Sequence, residues 1–139
     1  MAQHSRVRSE RVVAAVVCRD DRFLVCRRPG HKRHGGLWEF PGGKVVTDET
    51  DADAISRELR EELGVALVHA DIAEFEAADP QSPFLIAFVP ARIDGEPACH
   101  EHSELRWATL DDLESLPLAP SDARYVEWRA RRDGTRDVA

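Results

Sequence analysis

Cysteine is scarce in this chain of 139 residues: Cys18, Cys26 and Cys99 are odd in number and none is spaced as CxxC. That excludes a disulfide framework and a zinc knuckle, and it sets a reducing cytoplasm as the expected setting. Long apolar runs are missing too. Val12 to Cys18 is too short to span a bilayer and the polar start MAQHSRVRSE has no processing site, so no membrane partner is expected and the run is read as a buried strand. Positive charge is in deficit, with 19 Lys and Arg against 26 Asp and Glu and a net charge of −7. A surface for polymeric nucleic acid needs the opposite balance. There is no internal repeat, linker or low-complexity tract, and the length suits one domain, residues 1–139, with 1–10 and 133–139 expected to be flexible.

What is present alternates between strand and helix. Val12 to Cys18 and Phe23 to Cys26 flank Asp20-Asp21, a two-residue hairpin turn, so the two runs are expected to pair antiparallel. A basic, Gly-containing loop covers Pro29 to Gly36, and Leu37 to Phe40 leads into Pro41-Gly42-Gly43, where positive φ, a tight turn and a close approach of the chain to a metal or phosphate that a side chain would block are expected. A helix follows over about Thr50 to Leu63, then interrupted strand character from Val65 to Ala78, a clear strand over Phe84 to Ile93, and an Asp94-Gly95 turn. Leu105 to Ala108 reads as a strand, Leu110 to Leu116 as a short helix, and Ser121 to about Arg131 as a terminal helix. This order predicts an α/β sandwich.

The run Gly43 to Val65, GKVVTDETDADAISRELREELGV, carries the chemistry. Positions three and four apart are neighbours on a helix, so Glu58, Glu61 and Glu62 share one sector, beside an apolar stripe of Ile55, Leu59 and Leu63. Crowded carboxylates repel, and a hard divalent cation that selects oxygen ligands relieves the repulsion, so Mg²⁺, or Mn²⁺ in its place, is expected. Thr50 or Asp51 can cap the helix and Gly64 suits its left-handed stop. Arg57 points about one helical step away from the three glutamates, towards Glu49. Arg27, Arg28, His31, Lys32 and Arg33 offer local positive charge for an anionic substrate, with a solvated basic loop as the plainer reading of His31, Lys32 and Arg33.

The pattern G-x5-E-x7-R-E-U-x-E-E-x-G-U, with U a bulky aliphatic, is met by Gly43, Glu49, Arg57, Glu58, Leu59, Glu61, Glu62, Gly64 and Val65, and it resembles the signature of the Nudix hydrolases. The resemblance implies a Nudix-type α/β/α sandwich with a central mixed β-sheet. LWEFPGGK at Leu37 to Lys44 resembles the MutT-like branch, which hydrolyses nucleoside triphosphates. Glu101-His102 before Trp107, with Pro117 to Asp122, is similar to bacterial CTP pyrophosphohydrolases and their 8-oxo-dGTP-hydrolysing relatives.

The resemblance also implies roles. Glu58, Glu61 and Glu62 match metal ligands, with the Gly42 carbonyl beside them, and Glu101 matches a further ligand or proton acceptor. Arg28, Glu39, Phe40 and Lys44 match positions near the substrate, and Asp122 a base-reading position. Glu58 is the first choice of catalytic base and Glu101 the second, with Arg57 in support; attack at the inner phosphoanhydride would yield a nucleoside monophosphate and pyrophosphate. The plainer readings are core packing for Phe40 and Trp38, a helix cap for Asp122, and half-exposed strand residues or a transition-metal site for His100 and His102. Composition alone does not choose between Glu101 and Glu104.

Where relatives carry Glu then Gly, this chain has Val46 and Asp48, so a differently shaped loop is expected. Pro80 is spaced from Val65 as in ADP-ribose hydrolases, yet Asp79 to Pro83 reads equally as a turn, and the lone Tyr125 does not suit dinucleoside polyphosphate hydrolysis. A catalytically idle nucleotide-sensing module is the alternative to an enzyme. Either a monomer or a homodimer is compatible with the sequence.

Overall fold

The computed structural model describes residues 10–138, with side-chain surroundings through 134. The expectation of flexibility at residues 1–9 and 139 lies outside the described residues. β1 (Glu10–Arg19) is apolar on both faces: Val13, Ala15 and Val17 enter one core, Ala14 and Val16 the other. Such a strand belongs in the middle of a covered sheet. It runs parallel to β7 (Phe84–Asp94) along one flank, and on the other it meets β4 (Gly42–Lys44) and then β2 (Arg22–Arg27), both antiparallel.

β7 carries β5 (Ala66–Ala70) and β6 (Phe75–Ala78) on its far side, while β2 carries β8 (Glu104–Ala108) and the two-residue β3 (Trp38–Glu39). The sheet is therefore mixed. α1 (Asp51–Leu63) covers one face through Ala54, Ile55, Leu59 and Leu63. α2 (Leu110–Ser115) and α3 (Pro120–Val138) cover the other through Leu113, Tyr125 and Val126. This is the α/β/α sandwich expected. Among the described residues no helix is long and apolar enough to cross a membrane.

The Asp20-Asp21 turn forms with both residues in the left-handed region, φ 53° and 63°, matching the twist of the strands it joins. Asp79 to Pro83 is a turn too, closed by the Asp79 carboxylate accepting from Gln81 N–H. Two local expectations need correction. Gly42 and Gly43 do not take positive φ and form no tight turn; they lie in β4, paired with Ala14 and Val13. They are small because other atoms come close, as shown below. Asp48, in the loop expected to be differently shaped, has φ 72°, in the left-handed region that aspartate enters more readily than most residues. The terminal helix does not stop near Arg131 but continues to Val138. Arg129 and Arg132 both pair with Glu74, and Trp128 stacks on Phe75, so its packing side stays engaged past the expected end.

Candidate active site

α1 starts in a capping box between Thr50 and Asp53 and ends at Gly64 with φ 69°. Its buried stripe sets where the glutamates go. Glu62 turns inward, 6% exposed, and its Oε1 accepts from Gly42 N–H at 3.3 Å. Glu58 lies against the flat edge of β4: a Cβ on Gly43 would sit 2.3 Å from the Glu58 carboxylate. Glu61 is half-exposed.

Arg57 does not point away from this group. Its Nε and Nη2 grip both Glu49 oxygens at 2.7 and 2.9 Å, Nη2 also donates to the Lys44 carbonyl, and Nη1 donates to Glu58 at 2.9 Å with Glu61 at 3.6 Å. A guanidinium fork on a long arm reaches both the loop and the next turn of its own helix, which spacing by angle alone overlooks. This grip, with Val46 N–H donating to the same carboxylate, holds Glu49 at a pKa of about 2. Lysine has a single donor centre for these four partners. Arg57→Lys is therefore expected to lower turnover about 10–100-fold by freeing Glu58, with stability changed by less than about 1 kcal/mol, as read from kinetics and urea unfolding on the same sample.

The loop before β8 brings the distant acid to α1. Ala98 N–H and His100 N–H donate to the Leu63 and Glu62 carbonyls, and His100 Nδ1 lies 3.1 Å from the Glu61 carbonyl, so the loop takes up the free carbonyls of the helix end. Glu101 is thereby delivered beside Glu62. His100 and His102 are loop residues, not strand residues. His102 Nε2 lies 2.9 Å from Glu39 Oε2, and Arg28 Nη1 reaches the two Glu39 oxygens at 3.1 and 3.2 Å. These imidazole contacts span 39 and 63 residues, and no local pattern signals them.

The result is a cleft of about 430 Å³. Glu39, Glu62, Glu101 and the Gly42 backbone line it on the acidic side, with Arg28, His31, Lys32 and His102 also in its wall. Arg33, Lys44 and Phe40 are placed elsewhere. Arg33 lies toward Asp79, at 3.6 Å, and Lys44 toward Glu10 and the Phe84 ring. The Phe40 ring is enclosed edge-on by Phe23, Phe88 and Tyr125, so it has no free face for a base. A larger groove, about 570 Å³, lies between α2 and α3 on the other side of the sheet; its Glu127 and Arg131 are exposed and paired with each other.

Asp122 is buried behind Glu39. The α2–α3 connection hydrogen-bonds to both sides of Trp38, and this seats Asp122 Oδ1 3.1 Å from Phe40 N–H. Burial, and then the charge of Glu39, push its carboxyl up to about 8. The folded protein thus keeps a proton that the unfolded chain releases near 3.8. Stability from this group is complete below about pH 4 and is lost as the pH rises through about 8. Asp122→Asn keeps an oxygen for Phe40 N–H. It is expected to gain about 4 kcal/mol on the parent between about pH 5 and pH 9, by urea unfolding at each; a constant difference would rule this out.

The donor set suits a hard divalent cation. Burial above all, then the hydrogen bond and charge of Glu58, then Glu39 and Glu101, push Glu62 up to about 9, so a proton substitutes for positive charge among these acids. Among the described residues no three His, Cys, Asp or Glu side chains are already gathered as a cage. Arg57 draws Glu58 and Glu61 to itself while Glu62 faces Gly42.

The NUDIX domain family profile matches residues 8–129. The chain is 38% identical over 121 residues to the CTP pyrophosphohydrolase of Escherichia coli K12, covering 84% of this chain and 87% of that protein. It is 32% identical over 123 residues to the putative 8-oxo-dGTP diphosphatase 2 of Mycobacterium tuberculosis, covering 86% and 87%. The solution structure of the E. coli ORF135 protein superposes with a TM-score of 0.78 at 34% identity, over 92% of this chain and 94% of that one.

Proposed function

Because this chain belongs to the Nudix hydrolases, enzymes that act on pyrophosphate bonds, we propose that it is a magnesium-dependent nucleoside triphosphate pyrophosphohydrolase. Its substrates are of the CTP or dCTP type, or oxidised nucleotides of the 8-oxo-dGTP type, removed from the cytoplasmic pool as monophosphate and pyrophosphate. One observation carries this reading: the buried Glu62, with Glu58 beside it, shares a cleft with the cations Arg28 and Lys32. Acid and base in one cleft suit a polyphosphate that must be held and neutralised.

Glu58, Glu61, Glu62, Glu101 and the Gly42 carbonyl would hold the metal. Magnesium, or manganese in its place, would when bound supply charge to offset the polyphosphate and lower the pKa of a water. Glu58, steadied by Arg57, takes the proton of the attacking water, with Glu101 the second choice. Arg28, His31 and Lys32 receive phosphate oxygens, and Glu39 with Asp122 behind it forms the base-reading end.

The test is a screen of CTP, dCTP, 5-methyl-dCTP, 8-oxo-dGTP and ADP-ribose with and without Mg²⁺. Pyrophosphate release from a cytidine or oxidised nucleotide, absent without metal, is expected. Tight binding without turnover would favour a nucleotide sensor instead, and preferential cleavage of ADP-ribose would move the chain to another substrate class.

A further inference from the structure

We propose that His102 is a positioning residue for the base-reading end of the cleft, fixing the Glu39 carboxylate so that it accepts from an exocyclic amino group. This rests on the nucleotide-hydrolase reading above. A carboxylate only accepts, so His102 Nε2 must donate across the 2.9 Å contact with Glu39 Oε2. Arg28 holds Glu39 from its other partner position through Nη1 alone, because its Nε is already given to the Arg33 carbonyl at 2.6 Å. Without His102 the carboxylate would pivot about that single nitrogen.

The second observation is the other ring nitrogen. The His102 side chain is 7% exposed, and Nδ1 is buried with no hydrogen-bond partner among the described residues. A ring placed there for packing would be better as phenylalanine, which leaves no nitrogen unmet. An imidazole is therefore explained by what Nε2 does.

The consequence is chemical. With Arg28 and His102 on it, Glu39 offers only acceptor positions to the cleft it lines. Cytosine presents an amino group at its 4-position and uracil a carbonyl, which would set acceptor against acceptor. The site thus selects amino over keto pyrimidines.

The experiment compares CTP and UTP kinetics in the parent, His102→Phe and His102→Gln proteins. The parent is expected to favour CTP. His102→Phe raises KM for CTP about tenfold, keeps kcat within about threefold, and lowers the CTP-over-UTP preference about tenfold. His102→Gln, which still carries an N–H donor, recovers most of both. No parental preference, an unchanged KM and preference in His102→Phe, or a loss confined to kcat would overturn the proposal.

Should the parent cleave neither nucleotide, the cytidine part of the functional reading fails on its own while its oxidised-nucleotide part is decided by the wider screen, and nitrogen-15 NMR of the imidazoles still decides the positioning pair. Glu39→Gln is expected to move the His102 resonances and leave those of His100 in place. A His102 signal that does not respond would overturn it.

Discussion

Glu62→Gln is expected to reduce magnesium-dependent pyrophosphate release about 10²–10³-fold while leaving the protein at least as stable as the parent. Glutamine preserves the volume of a side chain packed beneath β4 and retains an oxygen for Gly42 N–H. It removes only the charge. That charge is what a bound cation and a polyphosphate respond to, and it is also what burial and Glu58 oppose in the metal-free protein. Activity and stability should accordingly move in opposite directions, as they do where a fold tolerates strain for function. The pair of measurements is a coupled pyrophosphate assay at saturating Mg²⁺ and thermal unfolding in EDTA. An active Glu62→Gln enzyme would remove Glu62 from the metal set, and a parallel loss of stability would mean that the residue serves the core.

Gly42→Ala is expected to cost about 3–5 kcal/mol, enough to leave much of the protein unfolded. An added Cβ would lie 1.9 Å from the Val13 carbonyl oxygen and 2.9 Å from Ala14 Cα. Both are backbone atoms of the central strand, so no rotamer relieves the overlap. β4 would have to leave its register of Val12 to Ala14 against Lys44 to Gly42, and the adjoining hydrogen bond from Ala15 N–H to the Pro41 carbonyl would be disturbed. Gly43→Ala makes the contrast. Its Cβ meets the flexible end of Glu58, so the structure can yield, and the expected loss is in turnover more than in stability. Urea unfolding of the two variants should separate them by about 2 kcal/mol or more, and equal curves would refute the distinction.

These two glycines also show how far local reading extends. Of the two reasons the sequence offers for small residues at 42 and 43, the structure contradicts backbone freedom and leaves close approach, with partners the sequence does not name. The limits are the carbonyl of Val13, some thirty residues earlier in the chain, and the carboxylate of Glu58, a helix away. The same holds for Arg57, whose grip on Glu49 is written in the spacing while its further hold on Glu58 and the Lys44 carbonyl is not. Phe40 and Lys44 lie within the motif that resembles nucleotide-binding relatives, but strand pairing sends one ring into the aromatic core and directs the other side chain to Glu10. His102 and Asp122 converge near Glu39 from residues far along the chain.

By itself the sequence determined the α/β order, the span of α1 with its Thr50 cap and Gly64 stop, the Asp20-Asp21 hairpin, and the three glutamates on one helical sector. Each of these is a matter of local dihedral preference or of the 3.6- and 2-residue periods, and neighbours in sequence are enough to specify it. Only the tertiary structure decided which acids and cations share the cleft, that Arg33, Lys44 and Phe40 face elsewhere, and that Glu39 is held between Arg28 and His102. Those outcomes depend on strand register and on where a loop docks on a helix end, which are set by packing between segments that no local pattern brings together.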